Sequence, residues 1–267
     1  MSHERINRGG WPMVRVFQKI LMIVLGLMAI VSSLAVVATP LFRPDEAEAR
    51  VEQFKAVATS FAGQDDFQVS RANRFVHSIT THSVDRKVML RENWVQWCLG
   101  HVYPPLLRSQ NALRIVEGGI GDCSERVAVL QWIARQSQCP TRIVGLGGHV
   151  VLEVFSKGKW VAADPDYGVT FSTDVQTLTH GGAKYVAWQL QRAGVDAPTI
   201  ENYLSILQSA GDNVSMGLNE PLSPRLKVLE DWCEIARVAF PWFFFGLLLV
   251  VPMAWPGERR VQALPSL

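Results

Sequence analysis

Two uncharged apolar runs bracket the chain, and between them the spacing of hydrophobic positions changes twice. The first run, Ile20 to Thr39 (ILMIVLGLMAIVSSLAVVAT), holds 20 residues, about the length a helix needs to cross a bilayer's hydrocarbon core. The second, Val238 to Trp255 (VAFPWFFFGLLLVVPMAW), is at the short end of that range. Pro241 and Pro252 lie near its ends, where a membrane helix tolerates them, and Trp242 and Trp255 sit where interfacial aromatics are expected. After Pro44 and an acidic first turn, Val51, Phe54, Val57 and Phe61 recur at helical spacing. Residues 69–82 and 87–101 also read as helices. A Gly-rich break at Gly118-Gly119-Ile120-Gly121 precedes a helix over 122–138 that Pro140 stops. The period then shortens. Thr141–Leu146, Val150–Phe155 and Lys159–Ala163 are short β-branched or apolar runs, separated by Gly147-Gly148 and Lys157-Gly158. Helical spacing resumes around 173–194 and 199–210, and the polar stretch Gly211–Pro224 reads as a linker. The class this predicts is α+β: helices, a small antiparallel sheet, then helices.

Charge gives the two apolar runs a direction. Arg5, Arg8, Arg15 and Lys19 precede the first against a single Glu4. Arg259 and Arg260 follow the second, with Glu230, Asp231 and Glu234 on its other side. The positive-inside rule then predicts a multi-pass protein of the inner membrane. Its expected parts are a cytoplasmic tail (1–19), a first span (20–39), an extracytoplasmic domain (40–210), a linker with a juxtamembrane helix (211–237), a second span (238–255) and a cytoplasmic tail (256–267). A cleaved signal peptide is the competing reading of the first run. Its apolar region is normally about 7–15 residues, shorter than this one. The clean A-x-A triplet Ala47-Glu48-Ala49 lies far beyond the run, and Ser33-Leu34-Ala35 is a weaker site. For the second run the competitor is a buried core helix, against which Phe243–Val251 shows no polar stripe.

Composition removes other classes. Net charge is +2 with the basic residues dispersed, so no nucleic-acid-binding face is indicated. The four cysteines, Cys98, Cys123, Cys139 and Cys233, form no CxxC pair, which argues against a disulfide framework and a structural zinc site. Asn213-Val214-Ser215 matches a glycosylation sequon by pattern alone.

The chemistry concentrates in the middle. In Gly121-Asp122-Cys123-Ser124-Glu125, Asp122 and Glu125 are spaced as a capping box, with Asp122 as N-cap. Cys123 then occupies the first helical position, facing unpaired amides and the positive end of the dipole, a setting that favours a reactive thiolate and can bind an oxyanion. His149 opens the strand after Gly147-Gly148. With Lys157-Gly158 as the turn, Phe155 faces Trp160, His149 faces Asp166, and Asp164 is the diagonal neighbour of His149 on the same face. Diagonal neighbours lie about 7–8 Å apart, within reach of a carboxylate–imidazole hydrogen bond. The register leaves both acids available.

The segment GDCSERVAVLQWIARQSQCPTRIVGLGGHVVLEVFSKGKWVAADPDYG resembles the core of the transglutaminase-like superfamily. That core has a Gly-x-Cys helix start, a strand opening at a histidine, and a Trp-containing strand ending in Asp-Pro. The resemblance covers about 118–168. It implies a papain-like fold with Cys123 as nucleophile, His149 as general base and acid, and Asp164, directly before Pro165, as the orienting carboxylate rather than Asp166. It implies no metal and no organic cofactor. Cys139 stands where many relatives carry glycine and reads as a buried structural thiol, and Asn93 and Trp94 lie where an oxyanion-hole side chain could arise. The expected activity is hydrolysis or acyl transfer on a protein, peptide or cell-envelope polymer. The competing reading is a non-catalytic interaction module in a membrane-bound envelope or exopolysaccharide-export assembly. A metal site built on Cys123, His149 and a carboxylate lacks the four ligands in close pairs that a closed site uses.

Overall fold

Apolar stripes and caps define the elements of the computed structural model, which describes residues 11–41, 44–62, 67–209 and 213–254. The chain divides into two units: Arg43–Trp232, and Met1–Phe42 with Cys233–Leu267. In the second of these, helix α1 (Trp11–Leu41) and the membrane-candidate part of the last helix, α10 (Pro224–Ala254), carry the two apolar runs. Both are long and apolar enough to cross a membrane. Leu25, Ala29 and Phe244 pack together with Leu21, Phe240 and Leu247 around them. Most other large apolar side chains point outward, Phe17 at 62%, Val31 at 64% and Leu249 at 67% exposure among them. A buried core helix would cover such a surface; these helices do not. Arg5, Arg8, Arg259 and Arg260, four of the charges on which the orientation rests, lie outside the described residues, as does the interfacial Trp255.

The larger unit is a mixed helix–sheet domain. Helix α2 (Asp45–Phe61) begins after Pro44 with three acids in its first turn and buries Val51, Phe54 and Phe61 of the stripe read from the sequence, with Val57 half-buried against the same core. Helix α3 (Val69–Ile79) ends early, and Thr81–His82 forms a short strand, β1. Helix α4 covers only Trp94–Val102, not 87–101, because the Asn93 side chain accepts from Gln96 N and caps the helix there. A helix absent from the sequence reading, α5 (Ala112–Gly118), is capped by Asn111 and stops at Gly119. Strand β2 (Ile120–Gly121) then leads directly into α6 (Cys123–Gln136).

The hairpin register is the one expected. Strands β3 (Thr141–Leu146), β4 (Val150–Ser156) and β5 (Lys159–Asp164) are antiparallel, with Phe155 opposite Trp160 and Ser156 opposite Lys159. Lys157 and Gly158 both have positive φ, as the primed two-residue hairpin turn demands. Two further strands complete the sheet in the order β6-β5-β4-β3-β7. They are β6 (Val169–Thr170) and β7 (Asn213–Ser215). The stretch read as a linker therefore supplies an edge strand, β7, whose register places Val214 opposite Gly145.

Both faces of the sheet are covered. On one, Ile143, Leu152, Val154 and Ala163 pack against α2, α3, α5 and α6 in a single core. On the other, Val144, Val151 and Ala162 pack against helices α7 (Val175–Thr179), α8 (Ala183–Arg192) and α9 (Ala197–Gln208). The pattern read as one helix over 173–194 is broken at Gly181-Gly182 into α7 and α8. Within this unit Glu230 accepts from Ser109 Oγ and, at 2.9 Å, from Gln110 N.

Candidate active site

Local chemistry sets each participating group before tertiary structure brings them together. The capping box forms as the spacing predicts: Glu125 N donates to Asp122 Oδ1 at 3.0 Å, and Asp122 N donates to Glu125 Oε2 at 3.2 Å. Cys123 is thereby the first residue of α6 and is half-buried. Glu125 is 1% exposed, and its other oxygen accepts from Ser109 N at 3.0 Å and pairs with Arg86 at 2.9 Å. Burial raises its carboxyl above the ordinary value, with Arg86 opposing. The cap thus anchors the loop that passes in front of the helix.

His149 is delivered by the tight β3–β4 turn. Gly147 and Gly148 sit at φ 54° and 124°, conformations that side-chain-bearing residues rarely adopt, and Leu146 N donates to His149 O at 2.7 Å. His149 Nε2 lies 2.7 Å from Asp164 Oδ2. Regular pairing of β4 with β5 stops at Leu152 and Ala163, so Asp166 never takes the position directly opposite His149. After Pro165 the chain turns, and Asp166 N donates to Asp164 Oδ1 at 2.9 Å. Of the two acids the register allowed, Asp164 holds the ring of His149. With Nε2 engaged, Nδ1 is the ring nitrogen left for the Cys123 thiol, the other polar neighbour that acts on this imidazole. Burial works against the proton on His149, but the charge and hydrogen bond of Asp164, then the Cys123 sulfur, push its pKa up to about 11. The helix start places the positive end of its dipole beside the sulfur.

Asp166 is held elsewhere. Its Oδ1 lies 3.0 Å from Arg126 Nη1 and its Oδ2 lies 3.0 Å from His82 Nδ1. Arg126, 1% exposed, also donates to Thr80 Oγ1 at 2.9 Å and to the carbonyls of Thr80 and His77, each at 3.0 Å. It fastens the end of α3 and strand β1 to the turn after β5. Cys123 Sγ, a ring nitrogen of His149 and an oxygen of Asp166 all lie within 4.8 Å of one another, close enough to hold a metal ion. Yet Asp166 is already satisfied by Arg126 and His82, and His149 by Asp164, which favours a hydrogen-bonded network over a closed four-ligand cage.

Several of these groups escaped the sequence reading. Tyr167 and Tyr203 enclose the His149 ring, with centroids at 5.9 and 5.4 Å. Tyr203, from α9, is buried, and its hydroxyl is a hydrogen-bonding neighbour of Asp164. Burial first, and then the negative charge of Asp164, push its phenol well above the ordinary value, so it stays neutral and serves as a donor. No spacing signal marked it. Arg126 did leave one: it falls in phase with Leu130 and Ile133 on α6, a charge inside an apolar stripe. Asn93, which lies in the region where an oxyanion-hole side chain could arise, accepts from Gln96 N through its side-chain oxygen as the cap of α4. Cys139 is half-buried against the core rather than fully buried, and burial raises its thiol.

Tyr203→Phe keeps the ring and deletes the donor. It is expected to cost about 1.5–3 kcal/mol, the range for a buried hydrogen bond to a charged group. Thermal unfolding of both forms measures this, and equal stability would mean that the hydroxyl contributes nothing net.

A histidine just ahead of β4 on a carboxylate, with a helix-start thiol as its other polar neighbour, suits thiol chemistry, and comparison with known families agrees. Residues 70–165 match the family model of the transglutaminase-like superfamily, a superfamily of cysteine-based acyltransferases and peptidases. The chain therefore carries a transglutaminase-like domain, running from α3 to the Asp164-Pro165 end of β5. No curated protein matches the chain.

Proposed function

We propose that this chain is a membrane-anchored, thiol-dependent acyl-transfer enzyme with a papain-like core, cleaving or transferring an amide or ester of a cell-envelope protein, peptide or polymer. The observation that carries the reading is the single imidazole of His149 held between Asp164 and the half-buried Cys123 at the first position of α6. Cys123 is the nucleophile, His149 the proton carrier and Asp164 the orienting acid. The sulfur attacks the carbonyl, backbone amides at the start of α6 face the developing oxyanion, and His149 passes its proton to the leaving amine. A thioester on Cys123 remains, to be released by water or an amine. None of these steps requires a metal or an organic cofactor. α1 and α10 are the anchors, in the inner membrane, with the domain on the extracytoplasmic side.

The test uses the full-length chain in detergent and p-nitrophenyl acetate as a small acyl donor. We expect a burst of p-nitrophenol equal to the protein present, with the acetyl group on Cys123 by mass spectrometry, and no burst from Cys123→Ala. In the same preparation iodoacetamide should modify Cys123 faster than Cys98, Cys139 or Cys233. A burst that survives in Cys123→Ala sinks the proposal.

A further inference from the structure

The stretch between β1 and α5 leaves apolar side chains in solvent that neither core of the domain takes up. Val84, Leu90, Leu99, Val102 and Tyr103 are all exposed, Val102 at 85%. The first turns of α10 do the same, with Val228, Leu229 and Trp232 pointing outward, Trp232 at 63%. Segment Leu106–Gln110 fastens the two groups together. On one side Leu107 O accepts from Val88 N at 2.8 Å, Leu106 O from the Gln96 side chain at 2.9 Å, and Arg108 donates to Val84 O. On the other, Gln110 and Ser223 exchange two hydrogen bonds at 3.1 Å, and Glu230 accepts from Ser109 and Gln110. Apolar area of this kind, carried on elements bound to one segment, marks a surface that a partner covers.

The covering partner follows from α10. Pro224–Val251 holds 28 residues, about 42 Å of helix, whereas a bilayer's hydrocarbon core is about 30 Å thick. Every charged residue in it, from Arg225 to Arg237, lies in the first half, so the surplus length belongs to the headgroup layer. Val228, Leu229 and Trp232 lie in that surplus. The stretch fastened to them adds Trp97, Tyr103 and the exposed cations Lys87 and Arg91. Tryptophan, tyrosine and basic side chains around apolar ones compose an interfacial surface, which buries carbon and pairs its cations with lipid phosphates. The same Leu106–Gln110 segment reaches the thiol's own support. Arg108 Nη1 lies 3.0 Å from Asp122 Oδ2, and Ser109 N donates to Glu125, the two residues that cap α6 at Cys123.

We propose that this face, Val84–Tyr103 with the start of α10, rests in the headgroup layer of the bilayer that anchors the chain, and that Cys123 acts on acyl donors carried at the lipid surface. The inference rests on the membrane-anchored acyl-transfer reading and adds to it the class of substrate that reaches the thiol.

The full-length chain is reconstituted in phosphatidylcholine–phosphatidylglycerol vesicles, with the photocrosslinker p-benzoylphenylalanine replacing Val102, Val228, Trp188 or Phe245 one at a time. After irradiation, mass spectrometry should find phospholipid joined at Val102 and Val228 and none at Trp188, an exposed residue of α8. No lipid at Val102, as much at Trp188 as at Val102, or a second copy of the chain in place of lipid overturns the proposal. A second measurement compares esters. Leu99→Glu combined with Val102→Glu should cut turnover of p-nitrophenyl palmitate held in the vesicles by about 10-fold, the worth of one apolar side chain withdrawn from lipid. The burst with water-soluble p-nitrophenyl acetate should keep its full amplitude. Equal loss with both esters, or loss with neither, also overturns the proposal. If Phe245 gains no lipid, or the unsubstituted protein gives no acetate burst, the membrane-anchored acyl-transfer reading fails instead.

Discussion

Asp164→Asn is expected to slow Cys123 alkylation and ester turnover by about 10²–10⁴-fold while leaving the fold in place. An amide at this position fits the same space but can turn its NH2 toward His149 Nε2. The ring then keeps its proton on Nδ1, facing the sulfur, and cannot accept one from the thiol. The effect also has a pH signature. The pKa of His149 is raised to about 11 from its ordinary 6.5, so the folded chain holds a proton that the unfolded chain releases. Its contribution to stability is complete below about pH 6.5 and is lost as pH rises toward about 11. In Asp164→Asn the attraction is gone and this alkaline loss should shrink. Thermal unfolding across pH 6–11, with iodoacetamide kinetics on Cys123, measures both effects. Asp166→Asn should alter alkylation far less, since its amide oxygen can still accept from Arg126 and the substituted group lies off the His149–Asp164 hydrogen bond. A larger effect from Asp166→Asn than from Asp164→Asn would reverse the assignment.

Arg126→Met should be the most destabilising single change in the domain, by about 3–5 kcal/mol, the cost of stripping one partner from a buried ion pair. Methionine fills much of the volume but abandons Asp166, whose side chain is 6% exposed, together with acceptors on Thr80, His77 and Asp166 itself. For a unit of this size the loss corresponds to a fall in Tm of roughly 10 °C. Arg126→Lys keeps the charge without the planar fork, so it should fall between the two. A methionine variant with unchanged Tm would show that Arg126 is dispensable to the fold. Because the same guanidinium fastens β1 and the turn after β5, the destabilised protein should also alkylate Cys123 more slowly.

What could be read without coordinates was short-range. The capping box at Asp122 and Glu125 depends on residues three apart, and the β4–β5 register depends on a two-residue turn. The two apolar runs are legible because each is one uninterrupted composition. Helix ends were misread where a side chain outweighed hydrophobic spacing, as Asn93 does at the start of α4. Pairing of β7 with β3 was invisible, since a polar edge strand has no pattern of its own and takes its partner from the sheet. Hairpin register alone did not choose between the two acids; the preference for Asp164 came from the family resemblance. Both occupy the same face by register, and only the turn at Pro165, with Arg126 gripping Asp166, leaves Asp164 to His149. The meeting of Cys123 with His149, and the arrival of Tyr203 from α9, depend on how α6 and α9 pack against the sheet. Those contacts form only when the burial of whole faces offsets the entropy of closing long loops, a sum over the folded domain that no local window of sequence contains.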